Sequence, residues 1–451
     1  MTYNSDTISA ISTPSGTGGI AVLRVSGDRA IQIVTEVFES KKSLLSVKSH
    51  TAHFGKIVDQ NKIIDEVIIT VFKAPKSYTG ENVVEISCHG SNFIAHQILE
   101  LLLRKTRLAE PGEFTQRAFF NNKLDLTQVE AVGDLINART KKSHQAALQQ
   151  LEGSLQRKIE KLLTKLTKYR TLIELEIDFV EQGLSELNIK KTEKDLWKLH
   201  SELNKLAATG NEGLILRDGL KVSLVGAPNV GKSSIFNAFL ETERAIVTPH
   251  PGTTRDYLEE VISLKGYLVR IFDTAGLRKT EDAIEKIGID RSYQIIKNSH
   301  IVLFIIDGSE NKQELNLLQK LIDPAKIIKI LNKTDLFSKK EEDNFKQKRY
   351  ILCSAIKKDG LDRLKERLLK EIEISEKELH SGILTNSRQI AAVKRSIKSL
   401  EKAIVSIKKK LGYEFTAFDL KEASSALEEI IGKITSEDIL NEIFSNFCIG
   451  K

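Results

Sequence analysis

The chain has 451 residues, 41% hydrophobic and 29% charged, with a net charge of +7. That length suggests about three domains of roughly 150 residues, and the composition excludes a disordered chain. No stretch approaches the roughly 18 consecutive apolar residues a membrane-spanning helix needs. The opening MTYNSDTISAISTP has neither the basic start nor the apolar core of a signal peptide. Cys88, Cys353 and Cys448 form neither a CxxC pair nor a disulfide framework. They favour a reducing, cytoplasmic setting.

In chain order, residues 1–118 read as strand-rich: GIAVLRVSG and EVIITVF are β-branched runs, and NVVEISCHG alternates apolar and polar residues. From Asp125 the apolar spacing becomes three and four, without proline, so long helices are predicted to about Arg217. Short strands return at Leu220: LKVSLVG, YLEEVISL, YLVRIFD, IVLFIID, KIIKILN and RYILCS. IVLFIID and KIIKILN look buried on both faces, as in a mainly parallel sheet. Helical texture resumes after Gly382. The expected fold is multidomain α/β: an amino-terminal α+β domain (1–118) and a helical domain (119–217 and 381–451) split by an inserted Ras-like P-loop domain (218–380). Helices before Leu220 are then expected to pack with helices after Gly382. Between Asn386 and Leu411 eight Lys or Arg face the single acid Glu401, and a second basic run follows Lys141. The stripe is either a solvated helix face or a phosphate-binding surface.

GAPNVGKSS follows the strand KVSLV and precedes the helical SIFNAFL. It fits G-x-x-x-x-G-K-[ST] at Gly226, Gly231, Lys232 and Ser233, a loop whose backbone N–H groups cradle phosphates. Asn229, Val230, Gly231, Lys232, Ser233 and Ser234 are the candidate phosphate contacts. Lys232 would reach the β/γ oxygens, Ser233 would hold Mg²⁺, and the following helix offers its positive end. DTAG (Asp273, Thr274, Ala275, Gly276) ends the strand YLVRIF and brings a carboxylate near the metal. NKTD ends KIIKIL, and its Asp335, with Asn332 and Lys333, suits the N1 and N2 donors of guanine, which adenine lacks as a pair. CSAIK adds Ser354 and Ala355, with a backbone N–H for the guanine oxygen. The nucleotide is therefore expected to be GTP or GDP. TPHPGTTRD sits where a γ-phosphate-sensing switch belongs, with Thr248 and Thr253 near the nucleotide and Thr254 closing on Mg²⁺.

In Ras-like proteins a glutamine after DTAG orients the attacking water. Here that position is Leu277, which cannot polarise water. Glu285 is either a substitute carboxylate or an exposed helix-face acid. The oxygen of Asn229, with switch carbonyls, would suit a monovalent cation that neutralises charge in place of an arginine finger.

Together these motifs resemble the tRNA-modification GTPase family called MnmE or TrmE. GxPNxGKSS, GTTRD, DTAGLR and NKTD alone indicate only the wider group that includes the ribosome-assembly GTPases Era and Der. DTISAISTPSGTGGIAVLRVSG, GENVVEISCHGS, AEPGEFTQRAFFNNKLDLTQVEAVGDLI and the terminal FCIGK are similar to that one family, across essentially the whole chain. The resemblance implies a homodimer acting with the flavoprotein MnmG in a heterotetramer. Together they install an aminomethyl or carboxymethylaminomethyl group at C5 of the tRNA wobble uridine. It implies an amino-terminal domain that dimerises and binds a tetrahydrofolate derivative (5-formyl or methylene type) through Arg24, Glu85, Lys123 and Lys451. Arg24 and Glu85 are equally an inter-strand ion pair, and Glu81 is the rival of Glu85. It implies K⁺ held at a G-domain interface by Asn229, Thr248, His250 and Thr253, Mg²⁺ held by Ser233 and Thr254, and a water oriented by Glu285.

The ending CIGK has the outline of a prenylation signal, but lysine is a poor last residue and no basic run adjoins it. In the family that end folds towards the one-carbon chemistry, leaving Cys448 either near the reaction or a buried structural thiol. A ribosome-assembly GTPase usually appends a KH module with its GXXG loop, and none is seen after the GTPase segment. A nucleotide-gated RNA-binding scaffold without turnover is the other alternative.

Overall fold

A computed structural model of the protein describes residues 6–180, 188–242, 259–273, 293–308, 312–372 and 381–451. The chain forms two compact units, Met1–Gly133 with Ser425–Lys451, and Asp134–Ser424.

The first unit is built from β1 (Ile8–Ile11), β2 (Ile20–Ser26), α1 (Ala30–Val37), β3 (Phe38–Glu39), β4 (Thr51–Asp59), β5 (Lys62–Phe72), β6 (Val83–His89), α2 (Asn92–Leu103), β7 (Arg107–Leu108) and α3 (Glu113–Phe120). Its seven strands run β3-β4-β5-β6-β2-β1-β7, antiparallel except for the β1–β7 pair. Alternation along the strands sends Leu23, Val25, Ile69, Val84 and Ile86 into one core with Ile33 of α1 and Ile98 and Leu102 of α2. The same alternation turns Arg24 and Glu85 to the other face, where register sets them opposite one another.

This region, read from sequence as strand-rich, therefore carries helices as well. The reason lies in α2, where Ala95, Ile98, Leu101 and Leu102 are buried at helical spacing inside a run that is also apolar enough to resemble a strand. Glu81, the rival to Glu85, lies before β6 and not on it. It accepts from Arg117 at 3.2 Å and from the Ser26 hydroxyl at 2.7 Å. Arg117, with a side chain only 3% exposed, also donates to Asp6 at 2.8 Å and Glu113 at 2.9 Å. Burial alone would raise both of these carboxyls, but hydrogen bonds led by those from Arg107 hold them below the usual range. Such a buried cluster is costly to break by removing one partner, so Glu81 is held in a buried network, whereas Glu85 pairs with Arg24 alone on a part-exposed sheet face.

The helix α4 (Leu126–Asn137) follows. The last helix of the chain, Glu437–Ser445, returns to the first unit, where Leu440 and Phe444 pack on Leu126 and Val129.

In the second unit α5 (Lys141–Leu151) starts at a Thr140–Ser143 capping box. Then come α6 (Ser154–Val180) and α7 (Ile189–Asp218). The predicted long helices are present in the described residues. The sheet domain runs β8 (Leu220–Val225), α8 (Lys232–Thr242), β9 (Glu259–Leu264), β10 (Tyr267–Asp273), β11 (Ile301–Ile306), α9 (Lys312–Leu321), β12 (Ile327–Leu331), α10 (Lys339–Gln347), β13 (Ile351–Leu352) and α11 (Leu361–Leu369). Strand order is β13-β12-β11-β8-β10-β9, parallel except for the β9–β10 hairpin. All six residues of β11 are buried, as its sequence predicts, whereas Ile327 and Lys329 of β12 are only half-buried. The strand expected in RYILCS shrinks to Ile351–Leu352, paired to β12 along one side only.

After the sheet come α12 (Ser387–Lys409) and α13 (Tyr413–Ile431). As expected, α7 packs against α12, antiparallel. Gly210 lies against Ile390, Thr209 Oγ1 accepts from Leu384 N at 3.2 Å, and His200 Nε2 meets Glu401 at 2.8 Å. Gly213 sits against the Leu384 carbonyl with no room for a methyl. Helix propensity alone would make Gly213→Ala stabilising by about 0.5–1 kcal/mol. The close approach predicts the reverse, a loss of about 1–3 kcal/mol from overpacking in thermal or urea unfolding. A variant as stable as the parent contradicts it.

Candidate functional site

Among the described residues, four loops meet at the carboxyl ends of the parallel strands β8, β11, β12 and β13, the ligand-binding edge of such sheets. The turn after β8 runs through Asn229, exposed and in the left-handed region at φ 64°, to Gly231 at φ 94°. A side chain at Gly231 would strike the amide of Asn332. Lys232 folds back, donating to the carbonyls of Gly226 at 2.8 Å and Ala227 at 3.0 Å. Ser233 and Ser234 are exposed on the first turn of α8, and Val230 is buried beneath the loop.

Asn332 ties three loops together. Only 2% exposed, it donates from Nδ2 to Val230 O at 2.9 Å and accepts at Oδ1 from Ala355 N at 3.2 Å. Its own N–H bonds Ile306 O at 2.8 Å. Lys333, at φ 60°, reaches Asp307 at 3.0 Å, a partner the sequence reading did not single out although it follows β11 directly. The Ser354 hydroxyl donates to Asp335 at 2.6 Å, and this bond holds the Asp335 carboxyl below its ordinary range. Asp335 is thus an ionised acceptor, the form that takes two N–H donors from one ring edge. Burial pushes the neighbouring Cys353 thiol up to about 12, so it is an inert core group.

Asp273 ends β10 opposite Leu224 of β8, one strand from the phosphate loop. Its Oδ1 is buried without a hydrogen-bond partner among the described residues. An orphaned carboxylate oxygen there fits a divalent cation, as the sequence reading requires. Thr248, His250, Thr253, Thr254, Thr274, Ala275, Gly276, Leu277 and Glu285 lie outside the described residues.

The first unit brings together part of a second constellation. Arg24 pairs with Glu85 at 2.7 Å, and its guanidinium carbon lies over the rings of Tyr78 and Phe114, 5.4 and 5.6 Å from their centroids. Such stacking favours a planar cation. The Phe114 N–H donates to Lys451 O at 3.1 Å, so the FCIGK segment adjoins the residue that stacks on Arg24. Lys123 is exposed and anchored on Pro75 O at 3.1 Å, at the base of the segment carrying Tyr78. Tyr78 and Phe114 escaped the sequence reading; Phe114 at least lies within the motif-bearing AEPGEFTQRAFF, whereas Tyr78 lies in no motif-bearing stretch. Cys448 is exposed, which removes the buried structural reading of that thiol. Burial pushes the Cys88 thiol up to about 11.

The bond from Ser354 to Asp335 makes a pH prediction. Ser354→Ala should weaken GTP several-fold at neutral pH and return Asp335 towards its ordinary value. As pH falls, nucleotide binding by the variant then fails at a higher pH than in the parent. Superimposable pH profiles in a fluorescent-nucleotide titration would contradict it.

The family model for the MnmE helical domain matches residues 126–448, and that for the GTP-binding protein TrmE N-terminus matches residues 7–123. The chain is 41% identical over 470 residues to the tRNA modification GTPase MnmE of Christiangramia forsetii, covering 99% of each chain. It is 41% identical over 456 residues to that of Clostridioides difficile and 42% over 461 residues to that of Carboxydothermus hydrogenoformans, again covering 99% of each chain. Among solved structures, Aquifex aeolicus Era bound to GDP and AlF4⁻ shares 27% identity over 40% of this chain and 65% of its own. Its TM-score of 0.29 carries no argument. Matched along nearly its whole length, this chain belongs to the MnmE family of tRNA modification GTPases, P-loop enzymes that bind and hydrolyse GTP.

Proposed function

We propose that the protein acts on tRNA as a homodimer with an MnmG-type flavoprotein, in the cytoplasm. The pair would add an aminomethyl or carboxymethylaminomethyl group at C5 of the wobble uridine. Hydrolysis would be driven by K⁺-dependent pairing of the G domains, with domain limits of 1–118, 119–217, 218–380 and 381–451. The observation that carries the cation-driven reading is Asn229, exposed in a left-handed turn at the phosphate loop, on a chain with Leu277 where a water-orienting glutamine belongs.

In this mechanism Lys232 leaves the Gly226 and Ala227 carbonyls for the more anionic β- and γ-phosphate oxygens and neutralises charge as the bridging bond breaks. Ser233 and Thr254 would hold Mg²⁺, with Asp273 beside them. Asn229, Thr248, His250 and Thr253 would hold K⁺, the histidine and Thr248 through backbone carbonyls. These cations would stabilise the charge that develops on the transferred phosphoryl group. Glu285 would orient the attacking water. Asp335, Asn332, Lys333, Ser354 and Ala355 select guanine.

In the first unit, Arg24, Glu85, Lys123 and Lys451 would bind a tetrahydrofolate derivative, the source of a one-carbon unit. Supporting this reading, the Arg24 guanidinium lies over the rings of Tyr78 and Phe114, and Lys451 O is bonded to the Phe114 N–H. Glu85 is 28% exposed on the sheet face away from the core, where a pterin edge has access to it.

Steady-state GTP hydrolysis in KCl and in equimolar NaCl tests the reading. The expected result is a rate at least tenfold higher in KCl and abolished selectively in Asn229→Ala. Equal slow rates in both salts would transfer weight to a nucleotide-gated scaffold.

A further inference from the structure

The basic stripe of α12 is not part of either constellation, and its surroundings give it a use. Lys394, Lys398, Lys402 and Lys409 are exposed along one side of this helix, whose opposite side is buried. Side-chain interactions join this helix to both neighbouring helices. On one flank Glu401 meets His200 of α7, and His200 stacks edge-on against Trp197 with centroids 5.1 Å apart. On its buried side α12 packs on α13, where Ser396 donates to Ala423 O at 2.9 Å. Phe415 and Phe418 belong to α13.

Three aromatic side chains on the two helices that pack against α12 are unusually bare. Trp197, the single tryptophan of the chain, is 48% exposed, Phe415 63% and Phe418 62%. Large rings left in water beside a row of lysines do not serve the core. A solvated face needs the lysines but gives no reason for the rings. A membrane-inserting helix would need a continuous apolar side, whereas here the rings flank a charged stripe on separate helices. The combination of cations at phosphate-like intervals with flat apolar rings matches nucleic acid with unpaired bases, phosphates on the lysines and bases on the rings.

We propose that the α7–α12–α13 face, with Lys394, Lys398, Lys409, Trp197, Phe415 and Phe418, is a docking surface for the unpaired nucleotides of tRNA. This rests on the reading of the protein as acting on tRNA and names the surface that does the holding. The lysines supply the salt-dependent part of the affinity and the rings the salt-independent part.

The test is binding of an unmodified tRNA transcript to the full-length protein, by fluorescence anisotropy at two salt concentrations. Two variants are used: Lys394→Glu with Lys398→Glu and Lys409→Glu, and Trp197→Ala with Phe415→Ala. Lys402 is left unchanged. Circular dichroism and basal GTP hydrolysis serve as folding controls and are expected to match the parent. The charge-reversed protein should bind at least tenfold more weakly at low salt, and its dependence of log K on log salt should flatten by roughly 0.7–0.9 for each phosphate no longer neutralised. The ring-truncated protein should bind about fivefold or more weakly with its salt slope unchanged. Variants that bind tRNA like the parent at both salts overturn the proposal, all the more if they instead fail to bind the flavoprotein partner, which would make the face a protein interface. Failure of the parent itself to bind any tRNA would overturn the substrate reading on which the proposal stands.

Discussion

A single buried amide sets the geometry of the nucleotide site. Asn332 belongs to the NKTD segment, proposed to read guanine, yet one end of its side chain grips the phosphate loop at Val230 and the other grips Ala355. Buried polar groups are costly unless satisfied, and here donor and acceptor are both used on backbone groups of other loops. The loops that read the base and the loop that cradles the phosphates are therefore fixed to one another before a nucleotide arrives. Gly231 follows from the same constraint, because the amide occupies the space a side chain there would need. Preorganisation of this kind lowers the ordering cost of binding.

The sheet supplies the platform for that brace. Parallel strands buried on both faces bring Asp273, Asp307 and the NKTD and CSA turns to one edge, so that residues distant in sequence need only short loops to meet. Within the same unit, α7 and α12 enclose the sheet domain at its two chain ends and pack tightly where Gly213 admits the Leu384 carbonyl. The insertion therefore starts and finishes on one helix pair, and a movement of one strand end has a rigid element to act on. In the first unit a different device operates. Strand register opposes Arg24 to Glu85, and the guanidinium lies over the rings of Tyr78 and Phe114.

Much of this was legible in the sequence because the signals are local. The phosphate loop needs glycines, a lysine and a hydroxyl at fixed spacing between a strand and a helix, and all of that is written within a few residues. The long helices on both sides of the second group of strands were legible from periodicity, since neither stretch holds a proline. Family resemblance, more than residue chemistry, directed attention to Arg24 and Glu85. What escaped reading depends on contacts between distant segments. No local pattern tells that Asn332 reaches Val230, or that Tyr78 and Phe114 close on Arg24. Short helices such as α1 and α2 were hidden because eight to twelve apolar-rich residues do not separate the helical period from a buried strand. That Glu81 is tied to Arg117 and Glu85 to Arg24 likewise shows only in the folded chain.

The most direct measurement is the affinity of Asn332→Ala for GDP and, separately, for inorganic pyrophosphate, by isothermal titration calorimetry. The brace predicts that both weaken by at least tenfold, because removing a guanine-side amide also releases the phosphate loop. Weakened GDP affinity with pyrophosphate binding unchanged would contradict it, and would reduce Asn332 to a reader of the base alone.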